Sequence, residues 1–227
     1  MRKLAQYEGV SSSVVKRLPR YYRFLRGLIE KDIHRISSKE LAKLMDLTAS
    51  QIRQDLNCFG GFGQQGYGYN VNALYQQISK ILGIDKSIKT ILIGAGNLGL
   101  AIANHVHFEQ IGFHLDGIFD INPNFVGQTI KGVKVSHMSD LKDFCEKNKP
   151  QVAILCIPRE SAQEITNTLV ALGIKGFWNF SHFDIKAHRS DVIVENVHLG
   201  DSLMTLCYSI HQAEYETNSP DCDEKEV

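Results

Sequence analysis

Apolar positions along this chain keep two different rhythms. Val14, Val15, Leu18, Tyr21, Tyr22, Leu25, Leu28 and Ile29 recur at separations of three and four, which predicts an amphipathic helix over 14–30. Pro19 falls inside that run and implies a late start or a kink. Ser37-Ser38-Lys39-Glu40 is a capping box with Ser37 as cap, and Leu41, Leu44 and Met45 give the helix behind it an apolar face. After a turn at Asp46-Leu47, Thr48-Ala49-Ser50-Gln51 opens a second helix over 48–59, with Ala49, Ile52, Leu56 and Phe59 on its buried side. Two short capped helices joined by a tight turn make a helix-turn-helix. Glycine then alternates with aromatic residues over 60–69, as in a short twisted hairpin, the wing of a winged helix. A helix over 71–82 leads out, and 83–87 reads as a junction.

From Lys89 onward, apolar runs alternate with helical patterns. Strands are predicted at 89–93, 115–120, 132–135, 152–157, 176–178 and 192–194, and helices at 138–147 and 161–172. Pro158 and Gly173 act as terminators. Such alternation predicts a parallel sheet with helices on both faces. Leu203, Met204, Leu206, Cys207, Ile210 and Ala213 put one apolar stripe on a final helix beyond that domain. The stripe must be buried either on the chain's own sheet or on a partner subunit. The fold expected is α/β: a winged helix-turn-helix domain over 1–83, a Rossmann domain over 84–200, a terminal helix over 201–217 and a disordered tail over 218–227.

The joint between the first two strands carries the sharpest chemical signal. Gly94-Ala95-Gly96-Asn97-Leu98-Gly99 stands between a strand and a helix, and Asp120 ends the next strand. This is a dinucleotide-binding fingerprint in its required context. Gly94 is expected to make the tight turn, Gly96 to admit a pyrophosphate, and Gly99 to let helix and strand pack closely. Asp120 is placed to accept from ribose hydroxyls. It would repel a 2′-phosphate, and Ile121-Asn122 supply no compensating cation, so NADH and NAD+ are expected rather than NADP(H). Ligands of parallel sheets lie at the carboxyl ends of strands, which adds Ile157, Pro158, Asn179 and Phe180 near the nicotinamide end.

Charge changes the reading of the first part. Residues 1–83 hold 13 Lys+Arg against 6 Asp+Glu, and the remainder holds 12 against 19. A basic segment joined to an acidic one implies that only the first meets a polyanion. On the second helix of the pair, Ser50, Gln51, Arg53, Gln54 and Asn57 form the polar side. Arg can pair with guanine, and Gln or Asn with adenine, in a major groove of double-stranded DNA. Gln64, Gln65 and Tyr67 would reach DNA from the wing. The five cysteines are scattered without a CxxC pair, which argues for a reducing cytoplasm and against a zinc site or disulfide framework. No metal ligand set, membrane span or signal peptide is expected.

Together, these residues resemble the Rex family of redox-sensing transcriptional repressors over nearly the whole chain. The resemblance rests on Lys16-Arg17-Leu18-Pro19-Arg20-Tyr21-Tyr22-Arg23, Gln51-Ile52-Arg53-Gln54-Asp55-Leu56 and Gly66-Tyr67-Gly68-Tyr69-Asn70-Val71. It also rests on the glycine triplet, Phe119-Asp120, Ala171-Leu172-Gly173-Ile174-Lys175-Gly176 and Asn179-Phe180. It implies a homodimer with the last helix swapped onto its partner, bound to a pseudo-palindromic operator and released when NADH rises. It further implies an interdomain latch at Arg17, His105 and His198. The chain departs from the family pattern at that latch, where an acid often stands at 198 and a tyrosine near 105. It departs again at Gln54, where the family usually has a basic residue. Two other readings fit the glycine motif: an NAD-dependent dehydrogenase, or a module for another nucleotide such as CoA or ADP. Against an enzyme, no separate substrate domain remains, and the nine His form no recognisable acid–base set.

Overall fold

The computed structural model describes residues 10–60, 63–64 and 67–218. They divide into two compact units, Met1–Ser87 and Ile88–Val227. In the first, helix α1 spans Ser12–Glu30, capped by Ser11, whose Oγ accepts from the Val14 N–H at 3.4 Å. The helix begins earlier than its periodicity predicts and runs through Pro19. Losing one ladder bond to proline costs about 3 kcal/mol. Burial of Val14, Leu18, Leu25 and Leu28 on both sides of it returns about 1.5–3 kcal/mol each, so the helix continues.

Helix α2 (Ser38–Met45) has its complete capping box: Ser37 Oγ accepts from the Glu40 N–H at 3.2 Å, and Glu40 Oε2 accepts from the Ser37 N–H at 2.8 Å. Helix α3 (Ala49–Asn57) is capped by Thr48, whose Oγ1 accepts from the Gln51 N–H at 3.1 Å. The reciprocal half of this second box is absent, because the Gln51 side chain turns to Asp55 instead. Strands β1 (Arg35–Ile36), β2 (Gly63–Gln64) and β3 (Gly68–Asn70) form an antiparallel sheet ordered β1-β3-β2. The two arms of the expected hairpin therefore pair, with β1 added beside β3, while 61–62 and 65–66 lie outside the described residues. Gly68 lies at φ +69, and a Cβ there would strike the Ile36 carbonyl. Helix α4 (Val71–Leu82) closes the unit and ends at Gly83 in the left-handed region.

Among the described residues the second unit has seven strands: β4 (Ile88–Ile93), β5 (Phe113–Asp120), β6 (Thr129–Ile130), β7 (Val133–His137), β8 (Val152–Leu155), β9 (Gly176–Asn179) and β10 (Ile193–Asn196). Their order is β10-β9-β8-β4-β5-β7-β6, parallel throughout except β6 against β7. The order reverses between β4 and β8, the switch point at which a doubly wound sheet opens a crevice. Helices α6 (Leu141–Asn148), α7 (Arg159–Ala171) and α8 (Ile185–His188) pack on Ile91, Ile93, Phe119, Ala153 and Leu155; α5 (Asn97–His105) packs on Leu92, Ile118 and Ile154. The second face is only partly covered. A groove of about 330 Å³ remains along Phe113, Ile154, Trp178 and Ile193.

Helix α9 (Leu199–Asn218) follows β10. From Leu199 to Tyr215 none of its residues is buried, and Leu203, Met204, Leu206 and Ile210 are more than half exposed. The apolar stripe is not docked on its own sheet. The tail expected from 218 begins inside this helix at Asn218, and 219–227 lie outside the described residues. Among the described residues no helix is long and apolar enough to cross a membrane, and no cluster of three His, Cys, Asp or Glu could hold a metal.

One buried charge organises the first unit. Asp55 on α3 is fully inaccessible. Arg17 donates to it twice, at 2.6 and 2.7 Å, Tyr21 at 2.9 Å and Gln51 at 2.8 Å. Burial pushes the Asp55 carboxyl up, but the hydrogen bonds from Arg17, Gln51 and Tyr21 outweigh it and hold the group below the usual range. A depressed folded pKa stabilises the fold above the ordinary carboxylate value and loses that contribution as pH falls through the lowered one. Asp55→Ala leaves Arg17 without its partner and is expected to cost about 3–5 kcal/mol. Urea melts should show that loss at pH 7 and a smaller one near pH 2–3; equal losses at both would exclude the ionised pair as the cause.

Candidate functional site

The first candidate site is built where β4 meets α5. Gly94 turns the chain at φ +95, a conformation open to glycine, and a Cβ there would collide with the Cys156 carbonyl. At Gly99 a Cβ would collide with the Gly94 carbonyl, so helix and turn touch backbone to backbone. Gly96 differs from both. Its φ of −67 suits any residue, and nothing lies within 4 Å of where its Cβ would stand. The protein's own packing gives no reason for glycine there, whereas a ligand lying against that backbone does. Gly96 also heads α5 without any side-chain cap, so the N–H groups of the first turn, at Asn97, Leu98 and Gly99, have no intrahelical acceptor. Such a terminus favours an anion.

Asp120 closes the same turn from β5. Its Oδ2 accepts from the Ala95 N–H at 2.5 Å and its Oδ1 from the Asn122 N–H at 2.7 Å. A carboxylate has about four lone-pair positions, so two remain for hydroxyl donors. Gly94, Gly96, Asp120, Ile121, Ile157 and Pro158 together line a cleft of about 230 Å³. Met138, Cys156, Ser161 and Ile165 line it too, and no local motif marks any of them as a cleft residue. Burial pushes the Cys156 thiol up to about 12, so at neutral pH it is an inert wall and not a nucleophile.

Asn179 and Phe180 do not line this cleft. Asn179 is buried with every polar position used: Oδ1 accepts from Ser181 N–H (3.0 Å) and Ser181 Oγ (2.6 Å), while Nδ2 donates to Phe183 O (2.8 Å) and Asn196 Oδ1 (2.9 Å). It shapes the loop after β9 and has no capacity left for a ligand. Phe180 packs edge-on against Trp178, ring centroids 4.8 Å apart.

The second candidate site is the outer side of α3. Ser50, Arg53, Gln54 and Asn57 are all exposed, at spacings of three and four that make one stripe. Gln51 is half-buried and donates to Asp55, so it stands off that stripe. Arg53 reaches Ser38 Oγ at 3.2 Å across the helix pair. In the wing, Tyr67 is 69% exposed, with the Arg35 guanidinium 5.8 Å from its ring centroid. Gln64 lies on β2, and Gln65 lies outside the described residues. Of the expected latch residues, Arg17 is engaged by Asp55, His105 ends α5 exposed, and His198 pairs with His182.

A helix-turn-helix with a polar outer stripe, joined to a Rossmann unit with an open glycine turn, defines a DNA-binding regulator carrying a nucleotide cleft. The models of two families match the chain: a putative DNA-binding protein N-terminus over residues 9–57 and a CoA binding domain over 85–183. The redox-sensing transcriptional repressor Rex of Thermoanaerobacter sp. (strain X514) is 56% identical over 90% of this chain and 91% of its own length. That of Clostridium perfringens (strain 13 / Type A) is 52% identical over 90% and 96%. A crystal structure of RSP in complex with beta-NAD+ and operator DNA superposes with a TM-score of 0.83 at 55% identity, over 92% of this chain and 95% of that one. RSP in complex with beta-NADH also gives 0.83, at 52% identity, over 92% and 98%. The chain belongs to the Rex family of redox-sensing transcriptional repressors, and its relatives are regulators rather than enzymes.

The glycine geometry separates two substitutions. Gly99→Ala is expected to destabilise the second unit by roughly 1–3 kcal/mol through overpacking. Gly96→Ala should stay within about 0.5 kcal/mol of the unsubstituted protein. Thermal melts of the two variants test this, and equal losses would contradict it.

Proposed function

We propose that this protein is a homodimeric repressor that binds a pseudo-palindromic operator through α3 and the wing. NADH in the second unit's cleft releases it from DNA, and NAD+ competes for the same cleft. The observation that carries the reading is Gly96: its backbone is bare toward solvent at an uncapped helix start, with no packing reason to be glycine. The relatives support it, since one RSP structure holds NAD+ with operator DNA and another holds NADH. A repressor acts where the chromosome is, so the cytoplasm is its place.

Each residue then has a part. The backbone of Gly94-Ala95-Gly96 and the start of α5 would hold the pyrophosphate. Asp120 would accept from the adenosine ribose and repel a 2′-phosphate, which favours NAD(H) over NADP(H). Ile121, Met138, Pro158 and Ile165 would wall the adenine. The bound nicotinamide supplies a charge that differs between its oxidised and reduced forms. An apolar wall at Ile157 penalises the cationic form by desolvation, which gives NADH the advantage without any catalysis. On the DNA side, Ser50, Arg53, Gln54 and Asn57 would face base edges, and the basic balance of the first unit would supply the salt-dependent phosphate affinity.

The dimer rests on a matched pair of surfaces. Helix α9 exposes an apolar stripe, and one sheet face carries an uncovered apolar groove. Burying one in the other across two copies would satisfy both, and a pseudo-palindromic operator would then require the two α3 helices to stand about 34 Å apart, one duplex turn.

Removing residues 199–227 should convert the protein from a dimer to a monomer in sedimentation velocity; a truncated protein that stays dimeric would refute the swap. On a palindromic operator probe, NADH should lower the affinity of the unsubstituted protein at least about tenfold, and NAD+ should relieve that effect. Gly96→Ala should bind the probe normally and ignore NADH. Operator binding that no concentration of NADH disturbs would defeat the proposed function.

A further inference from the structure

Helix α9 is exposed along its described side chains, so within its own unit its direction is set where it leaves the sheet. At that point the end of β10 and the segment after it are tied to the end of β9 and its following loop three times. Val197 N–H donates to Asn179 O at 2.9 Å. Asn179 Nδ2 donates to Asn196 Oδ1 at 2.9 Å. His182 Nδ1 and His198 Nδ1 lie 3.1 Å apart, their rings stacked at 5.2 Å and 24°. One imidazole must carry the shared proton and the other accept it. His182 sits at φ +59, a backbone state rare outside glycine that persists when its surroundings impose it.

The other end of the same loop reaches the nucleotide cleft. Phe180 N–H donates to Leu155 O at 3.0 Å. The residues directly after Leu155, namely Cys156, Ile157 and Pro158, form the cleft wall. A short chain of bonds therefore runs from that wall, through the loop folded about Asn179, to the residue that precedes α9.

We propose that His182 and His198, backed by Asn179 and Asn196, are positioning residues that clasp the launch point of α9 to the wall of the nucleotide cleft. Through this clasp, occupancy of the cleft sets the direction in which the helix leaves the domain. The proposal rests on the repressor function given above. It assigns the two histidines, neither of which lines the described cleft, to the link between the two ligands. Both are exposed, so substituting them leaves the core intact.

The test uses the full-length protein and a fluorescent operator duplex. The operator dissociation constant is measured without NADH and at saturating NADH, and the ratio is the coupling factor. His182→Phe and His198→Phe keep a ring to stack but lose the hydrogen bond. Each should lower the coupling factor about fivefold or more. The double variant should fall no further than the singles, because both break one interaction. His182→Asn, which accepts the left-handed backbone and restores a donor and an acceptor, should recover most of the loss. NADH affinity without DNA and the melting temperature should hold steady, since a purely structural role would change those instead. A coupling factor within about twofold of the unsubstituted protein in either single variant, or a double variant equal to the product of the singles, would overturn the clasp. A coupling factor of one in the unsubstituted protein would instead sink the repressor function, and the clasp with it.

Discussion

Two backbone atoms approaching without side chains between them underlie the second unit. The Gly94 carbonyl lies where a Cβ on residue 99 would stand, and the Cys156 carbonyl lies where one on residue 94 would stand. This contact seats α5 on the end of β4 and brings β8 alongside. It also aims the uncapped start of α5 into the crevice at the switch point of the sheet. Asp120 then fastens the turn to β5 through the Ala95 N–H. The uncapped helix start, the unused acceptor positions of Asp120 and the cleft wall all follow from that arrangement.

The first unit depends on a different interaction. Asp55 occupies a core position on α3, where an unpaired carboxylate would be costly. The bidentate Arg17 and the Tyr21 hydroxyl come from successive turns of α1, so the pair fixes the roll of α3 about its axis. That roll decides which residues form the exposed stripe. It puts Ser50, Arg53, Gln54 and Asn57 outward and takes Gln51 inward. It also engages Arg17 inside its own unit.

Much of this was legible beforehand, for physical reasons. Long amphipathic runs such as 71–82 and buried runs such as 152–155 declare themselves by period and composition. The capping box at Ser37 and the glycine turn are local and were read residue by residue. Strands β1 and β6 and helix α8 have two to four residues each, too few for any period. The inward turn of Gln51 follows from a partner on another helix, and no local pattern distinguishes it from a solvated glutamine. The place of Asn179 at a strand end predicts a ligand contact. Its saturation depends on Asn196, seventeen positions away. Met138, Ser161 and Ile165 reach the cleft only through the crossover of the sheet.

A switch of this kind works only if each ligand prefers a different arrangement of the same dimer. To move the population from 1:99 to 99:1, the reduced nucleotide must favour one arrangement by about 5.5 kcal/mol. Linkage then makes the effect mutual. The most direct measurement is a calorimetric titration of NADH into the free protein and into the protein saturated with operator duplex. The account predicts weaker NADH binding to the operator complex, by the same factor by which NADH weakens operator binding. Equal affinity in the two titrations would contradict it.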